Sequence, residues 1–414
     1  MQRVSTNQSN YDMTRAMGIR EKRMTDMQNR IANGSRINEL RDDPVAAAHS
    51  TKFKSRLFRL ERYEKNVTAV QDQMRVAESY MSETNNILHR VRELAVQGAT
   101  GTFTKEEKKL MGEEVNQLLN EVIELSNATD GTGRTIFAGD KNQGQAFRVF
   151  SGSVEGIEGQ VVTGIQYLGG NTQNKVEVSE GNYMETSFIG NEVFWAEHQE
   201  IFSTVPADGY VVQANSSILI DGVGIDIKAG DTVHDIMARI KDSDAAVTPY
   251  LDPVSNSLVL KTTVPHQISM EDGKGGTVLQ DLGLVSGNGA PPHNIHKDAV
   301  VAGGSLFDMM IHLRDNLYAG DTIDIGGASL KGLDLASSNL LGRMAKLGSQ
   351  DERLETIKTR LDSEIPLTQS QDSNEVDLDL AGAIMELKML EYNHKAALQT
   401  AGRILQPTLL DFLR

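Results

Sequence analysis

Two histidines and an aspartate have a spacing that could hold a metal ion. His293, His296 and Asp298 form a His-x-x-His-x-Asp sequence directly after the prolines at positions 291 and 292. A zinc site needs three or four such ligands in tetrahedral geometry. Neighbouring histidines in a loop rich in glycine and proline are more often surface residues, because so short a motif occurs frequently by chance. We therefore expect no metal site here.

A second candidate for chemistry is His394, which lies on the apolar stripe of the last predicted helix. We interpret it as packed or interfacial, since an ionisable residue is by itself only a candidate for a functional site. The sequence contains no His-Glu-x-x-His and no Gly-x-Ser-x-Gly motif, and the glycines at 273–276 lack the Lys-Ser/Thr of a phosphate loop. We predict that the protein is not an enzyme and has no catalytic, cofactor-binding or metal-binding residues.

The composition restricts the possible partners. The chain has 414 residues, no cysteine and a formal net charge of −16, so disulfides and thiolate metal sites are excluded. The negative charge argues against general nucleic-acid binding, which needs clustered Lys and Arg to neutralise phosphates. No window approaches the ~18 apolar residues of a membrane span. We expect no nucleic acid and no membrane insertion, and the first residues lack the apolar core of a signal peptide.

Helical periodicity at both ends of the chain surrounds a β-rich middle. Residues 144–300 are rich in Gly, Val and Thr in short alternating runs, whereas residues 1–143 and 335–414 repeat apolar residues at helical spacing. The predicted fold is mainly α in its terminal regions, with long paired helices in a coiled-coil-like bundle and an inserted β-rich α+β domain.

We predict three domains from these boundaries. Residues 1–40 with 370–414 form a terminal helical assembly domain. Residues 41–143 with 300–369 form a helical rod domain. Residues 144–299 form an inserted β-rich outer domain.

A heptad repeat is the strongest periodic signal in the sequence. An apolar side chain recurs every seven residues along a helix that begins at Asp43-Pro44, where Asp43 suits the N-cap and Pro44 the first helical turn. A second heptad repeat predicts a long helix over about 335–364, which we expect Pro366 and the polar run 369–374 to end. Such seams are typical of helices that pair with a partner helix. The predicted seam consists of Leu60, Val67, Met74, Met81, Leu88, Leu340, Leu347, Leu354 and Leu361.

The outermost helices, predicted near 6–32 and 375–405, carry less regular apolar stripes. A short terminal helix barely holds its structure alone in water, so we expect these two helices to pair and their stripes to contact neighbouring subunits. Residues 1–65 contain 14 Lys/Arg and 8 Asp/Glu, which indicates either a solvated basic face or docking to an acidic partner. The predicted assembly interface consists of Met13, Met17, Met24, Met27, Ile31, Val376, Leu380, Leu387, Leu390, His394, Ala397, Ile404, Leu409, Leu410 and Phe412.

Five short segments resemble the flagellin superfamily. The sequence IANGSRIN at 31–38, followed by DDPVAAA at 42–48, is similar to the superfamily's N-terminal signature, and the proline form is typical of the third hook-associated proteins, the hook–filament junction family. RELAVQGA at 92–99 is similar to both groups, whereas GRTIFAG at 133–139 and LLDFL at 409–413 resemble the junction family.

The resemblance implies a structural subunit of the bacterial flagellum, exported without a cleaved signal peptide. It implies a homo-oligomeric tubular ring between the first hook-associated protein and the flagellin filament, and an export chaperone that binds the C-terminal segment. The flagellum could be external or periplasmic. Two alternatives stay open: a flagellin that builds the filament itself, or a flagellar scaffold whose middle domain binds glycan or has enzymatic activity.

Overall fold

The computed structural model describes residues 6–404, except 142–143, 155, 158, 288, 290 and 293, with side chains described from residue 11 to residue 400. The chain forms two compact units. Unit 1 contains both ends of the chain, Met1–Lys65 and Lys358–Arg414, and unit 2 contains Asn66–Ile357. Long helices near both ends and a β-rich region between them confirm the predicted fold class. The division into three domains stays a prediction.

The helices are α1 Thr6–Asn33, α2 Pro44–Ala99, α3 Lys105–Ser126, α4 Gly190–Val193, α5 Val233–Asp242, α6 Val278–Asp281, α7 Leu306–Ala319, α8 Thr322–Asp324, α9 Leu330–Val376 and α10 Leu380–Ile404. A π-helical turn, Ile325–Ser329, precedes α9. The strands are β1 Phe147–Gly152, β2 Val161–Tyr167, β3 Lys175–Ser179, β4 Asn182–Glu185, β5 Glu200–Ser203, β6 Ser216–Ile220, β7 Val223–Ile227, β8 Val247–Leu251, β9 Leu258–Thr262, β10 Met270–Asp272 and β11 Ala299–Ala302.

In unit 2, α2 and α9 run antiparallel and bury their heptad positions. Two polar contacts define the register of the two helices. Arg92 Nε lies 2.7 Å from an Asp334 oxygen, and Gln71 Nε2 donates to Glu355 at 3.1 Å. The buried seam positions of this unit are at most 6 % exposed, which is the burial that a repeat of apolar residues favours. They are Val67, Met74, Met81, Leu88, Leu340, Leu347 and Leu354.

The predicted end of the second heptad helix is wrong. Helix α9 continues through Pro366 to Val376. Proline lacks the N–H that would bond to the carbonyl of residue 362, but Pro366 is exposed, so this carbonyl can be hydrated. Contacts with α2 stabilise the helix on both sides of the proline, at Arg56–Glu364 (3.4 Å) and at His49–Glu375 (3.3 Å). Val376 therefore ends α9, and is not part of the last helix.

A β-rich module is inserted between α4 and α7. Its sheets have the orders β10-β6-β7 and β11-β5-β9-β8, with all neighbouring strands antiparallel. Helix α5 begins with a capping box between Thr232 and Asp235 and packs its apolar face into the module core. That core contains Ile218, Ile220, Ile236 and Leu260, which are inaccessible to solvent. Along the chain the module therefore runs from strands β6 and β7 through α5 to strands β8 and β9.

An aromatic cluster in unit 2 lies where the module meets the helices. The Phe194 ring centroid is 5.1 Å from that of Phe137 and 5.6 Å from that of Phe307 on α7. Phe147 of β1 also contacts Phe194 and Phe307. Aromatic rings at these separations stabilise the fold beyond the effect of their buried area. The cluster therefore stabilises the two chain segments that connect the module to the helices.

Candidate assembly interface

In unit 1 the segment after α1 pairs with the segment after α9. The Arg36 N–H donates to the Val376 carbonyl at 2.7 Å, and the Leu378 N–H donates to the Gly34 carbonyl at 3.0 Å. Ser35 and Asp377 form an isolated antiparallel bridge. We call residues 34–36 and 376–378 the terminal corner. It joins the first and last helices of the chain across more than 300 residues of sequence.

The sequence of the terminal corner explains its shape. Gly34 has a φ of +66°, a left-handed conformation that ends α1 and that side chains with a Cβ rarely adopt. The Ser35 N–H donates to the Arg30 carbonyl at 3.2 Å, and its hydroxyl donates to the Ile37 carbonyl at 2.8 Å. The chain therefore turns sharply out of α1 and enters the bridge with its backbone groups satisfied.

One carboxylate connects the terminal corner to α2, and a second orders the loop between them. Asp43 caps the helix by accepting the Ala46 N–H at 3.1 Å, and its other oxygen lies 3.2 Å from Arg36 Nη1. The hydrogen bond from Ala46 and the Arg36 guanidinium together hold the pKa of Asp43 below its usual range. Asp42 accepts the Asn38 and Glu39 N–H groups at 3.2 Å, and these bonds lower its pKa too. Arg36 also donates to the Glu375 carbonyl at 2.7 Å, so it contacts α2 and α9 together.

Helices α1 and α10 pack against each other. The predicted stripe on α1 is half-buried at Met13, Met17, Met24 and Ile31, and Met27 is 9 % exposed. On α10, Ala383 is buried and the predicted positions Leu387, Leu390, His394 and Ala397 are half-buried. These stripes therefore form the seam of an intrachain helix pair, and most of their side chains remain partly accessible. Their role in contacts between subunits stays a prediction.

Helix α10 carries a second apolar stripe that is not part of the predicted interface. Met385, Met389 and Tyr392 are 67 %, 61 % and 73 % exposed and follow each other at spacings of four and three residues. At 100° per residue they lie about 150° around the helix from the seam with α1. We call Met385, Met389 and Tyr392 the outer stripe. Its spacing was a detectable signal, but a helix with two apolar sides is expected to be buried on both.

The remaining predicted interface residues have mixed positions. Leu380 begins α10 and is half exposed, and Val376 is half-buried in the terminal corner. The side chain of Ile404 and residues Leu409, Leu410 and Phe412 lie outside the described part of the chain. In the described residues, Nδ1 of His394 is buried without a hydrogen-bond partner.

The histidine motif at 293–298 lies only partly within the described residues. His293 lies outside them, and the ring Nδ1 of His296 is 3.5 Å from Asp298. Across the described ranges, no three His, Asp or Glu side chains come together as metal ligands. The same residues include no helix long and apolar enough to cross a membrane.

Comparison with known proteins relates the N-terminal third of the chain to flagellins. Residues 4–142 match the bacterial flagellin N-terminal helical region, which confirms the resemblance for this segment. The chain is 29 % identical over 136 residues to a flagellar filament 30.7 kDa core protein of Treponema maltophilum, covering 33 % of this chain and 48 % of that protein. The chain therefore spans about half the length of the first curated relatives that it matches.

A longer match includes the inserted region. The flagellar hook-associated protein 3 of Escherichia coli K12 is 24 % identical over 254 residues, covering 61 % of this chain and 72 % of that protein. Among solved structures, a hook-associated protein 3 from Legionella pneumophila aligns at 18 % identity with a TM-score of 0.48, covering 78 % of this chain and 97 % of that one. FlgL of Xanthomonas campestris aligns at 18 % identity with a TM-score of 0.46, covering 77 % and 99 %.

Proposed function

We propose that this chain, whose residues 4–142 match the bacterial flagellin N-terminal helical region, is a structural subunit that joins the flagellar hook to the flagellin filament. The match to a hook-associated protein 3 supports the junction role, because it covers 72 % of that relative. The first filament proteins are matched over less than half of their length. The segments GRTIFAG and LLDFL favour the same role.

The outer stripe is the observation that best supports a function in assembly. Helix α10 already packs on α1, yet it presents two methionines and a tyrosine to solvent on its far side. Full burial of a methionine side chain contributes about 1.5–3 kcal/mol. A second copy of the chain is the occupant we propose, so that α1–α10 pairs of adjacent subunits pack through the outer stripe and the accessible edges of the seam.

The partners follow from this role. A homo-oligomeric ring contacts the first hook-associated protein on one side and flagellin on the other. The protein leaves the cytoplasm by the flagellar export route, with a chaperone on its C-terminal segment. The function is mechanical, and the protein is not an enzyme.

The alternative is a flagellin that builds the filament itself. It is favoured by the filament core proteins and flagellins among the relatives, which are 29–30 % identical over 30–33 % of this chain. The position of a labelled copy on isolated flagella separates the two: a single narrow zone next to the hook supports the junction role, and label along the whole filament contradicts it.

A double substitution tests the outer stripe. Met385→Glu with Met389→Glu places charges where we propose a buried contact, so the exported protein should accumulate in the medium and be absent from purified flagella. The monomer should keep its helical circular dichroism, since both side chains are exposed in the subunit. Secretion and flagellar content are measured by immunoblot.

Lys395→Glu is the matched control. It changes the charge of an exposed α10 side chain that lies off the outer stripe, and it should assemble normally. Wild-type incorporation of the double variant would refute the outer stripe as a contact between subunits.

A further inference from the structure

The inserted module and the segment 192–195 that precedes it contact α9 at a polar joint near Pro265. The Asn339 amide donates to the carbonyls of Glu192 and Trp195 at 2.9 and 2.8 Å. Arg343 of α9 donates to a Glu192 carboxylate oxygen at 2.6 Å and to the Pro265 carbonyl at 3.5 Å. The loop that carries Pro265, residues 263–269, is therefore held between α9 and the rest of the module.

His266 connects this loop to the β6–β7 turn. Its Nε2 lies 2.9 Å from Asp221 Oδ2 and its Nδ1 lies 2.6 Å from the Val264 carbonyl oxygen. The other Asp221 oxygen accepts the Ser269 N–H at 2.9 Å, and the Asp221 N–H donates to the Ser269 carbonyl at 2.8 Å. Residues 264–269 are thus connected to one turn through Asp221 and His266.

Both neighbours of the ring are acceptors. A carboxylate oxygen and a backbone carbonyl have no proton to donate, and a neutral imidazole has a single N–H. Only the doubly protonated ring can donate to Asp221 and Val264 together. Loss of one proton leaves an imidazole lone pair facing an oxygen lone pair at one of these two contacts, in a side chain that is 8 % exposed.

The surrounding charges balance when the ring is protonated. A cavity of about 130 Å³ lies beside the ring, and its titratable lining consists of Glu192 of α4, Asp221 of the β6–β7 turn, Arg343 of α9 and His266 itself. Two carboxylates then face a guanidinium and an imidazolium. A neutral imidazole would leave one carboxylate in excess in this half-enclosed site.

We propose that His266 is a protonation-dependent latch that holds residues 264–269 against the β6–β7 turn and so keeps the module seated on α9. The latch is closed when the ring is charged and opens when it loses a proton. It makes the module's attachment to the helices sensitive to pH, a property separate from the assembly surface on α10.

The direction of the pH effect follows from the site. Burial opposes the charged ring, but the hydrogen bond and the charge of Asp221 outweigh it and raise the pKa of His266 above its ordinary 6.5. A group with a raised folded-state pKa contributes its full stabilisation below its unfolded pKa, and this is lost as the pH rises through the folded pKa. The loop should therefore loosen on the alkaline side of 6.5.

Amide exchange of the full-length protein tests the latch. The protection factor of the Ser269 amide, corrected for the intrinsic pH dependence of exchange, should fall between pH 6 and pH 9 by about tenfold for each unit of pKa shift. His266→Gln should remove this fall. Asp221→Asn, which keeps a residue tolerant of the φ of +50° at this position, should also give a flat profile.

His234→Gln is the matched control, because His234 is an exposed histidine of the same module. It should behave as the wild type. A flat wild-type profile, or a fall that persists in His266→Gln, would overturn the proposal. If a variant does not fold, the wild-type ring titration by NMR still decides: an apparent pKa at or below 6.5 for His266 contradicts the latch.

Discussion

At the scale of single residues, Arg36 connects segments that are 339 residues apart in the sequence. One guanidinium nitrogen contacts Asp43 at the start of α2, and another donates to the Glu375 carbonyl near the end of α9. The side chain is partly exposed, so water screens the ion pair and limits its contribution. The planar guanidinium can nevertheless serve both acceptors together, which an ammonium group does less well.

Arg36→Gln should loosen the terminal corner. The loss of a charge-assisted hydrogen bond and an exposed ion pair should lower the local stability by about 1 kcal/mol. The Leu378 amide, which donates to the Gly34 carbonyl, should then exchange roughly fivefold faster by the same estimate. Arg41→Gln is the control, since Arg41 pairs with Glu39 on the surface and is 72 % exposed. Equal exchange rates in both variants would show that Arg36 does not hold the corner.

At the scale of elements, the bounds of α1 and α9 depend on different kinds of signal. Helix α1 ends at a glycine whose left-handed conformation could be anticipated, because Asn-Gly-Ser sequences break helices. Helix α9 continues through Pro366 because contacts from α2 stabilise it, and nothing near the proline in sequence reveals this. Local chemistry thus defines one helix end, and packing between distant segments decides whether the other helix continues.

Two glycine substitutions, one directly after α1 and one inside it, should have opposite effects. Gly34→Ala should destabilise unit 1 by about 1–2 kcal/mol, because a residue with a Cβ is strained at a φ of +66°. The strain comes from the backbone alone, since no atom lies within 4 Å of the added Cβ. Gly18→Ala, in the helix interior with no atom within 4 Å of the added Cβ, should stabilise α1 by up to about 1 kcal/mol. Thermal and urea unfolding of the two variants, together with hydrogen exchange of their α1 amides, measure both effects. Effects of the same sign would contradict this assignment of the helix end.

The sequence predicts regular elements well and long-range joints poorly. Heptad positions such as Val67 and Leu354 could be placed because a seven-residue repeat is a local signal, and capping boxes such as Thr104–Glu107 are equally local. The bridge between Ser35 and Asp377, and the contact of Arg343 with Pro265, join segments far apart in sequence and leave no such signal. The outer stripe was detectable, but its exposure depends on which side of α10 faces α1.

At the scale of the whole molecule, unit 1 is built from both ends of the chain and unit 2 from the segment between them. The α1–α10 pair therefore cannot form until the last residues are present. Unit 2 has its own aromatic cluster and module core, both formed by residues between 66 and 357. Loss of the C-terminal segment should affect the two units very differently.

Deletion of residues 376–414 should leave unit 2 folded and abolish incorporation into flagella. The deletion removes α10 and one side of the terminal corner, so α1 loses its partner and should show amide exchange close to that of an unfolded segment. The exchange pattern of the module and of α3 should match that of the full-length protein. A truncated protein that still assembled and supported motility would disprove assembly through the paired terminal helices.

The module's two connections to the helices lie side by side. Trp195 and Ser305 form a bridge, and the Ala196 N–H donates to the Gly304 carbonyl at 3.1 Å. The chain thus leaves and re-enters the helical layer at one place, so the more than one hundred residues between these points behave as a cassette. A change of length inside this cassette should therefore leave α7 in place. The same position is a graft point, where a short glycine linker or a foreign domain with adjacent termini could replace residues 197–303.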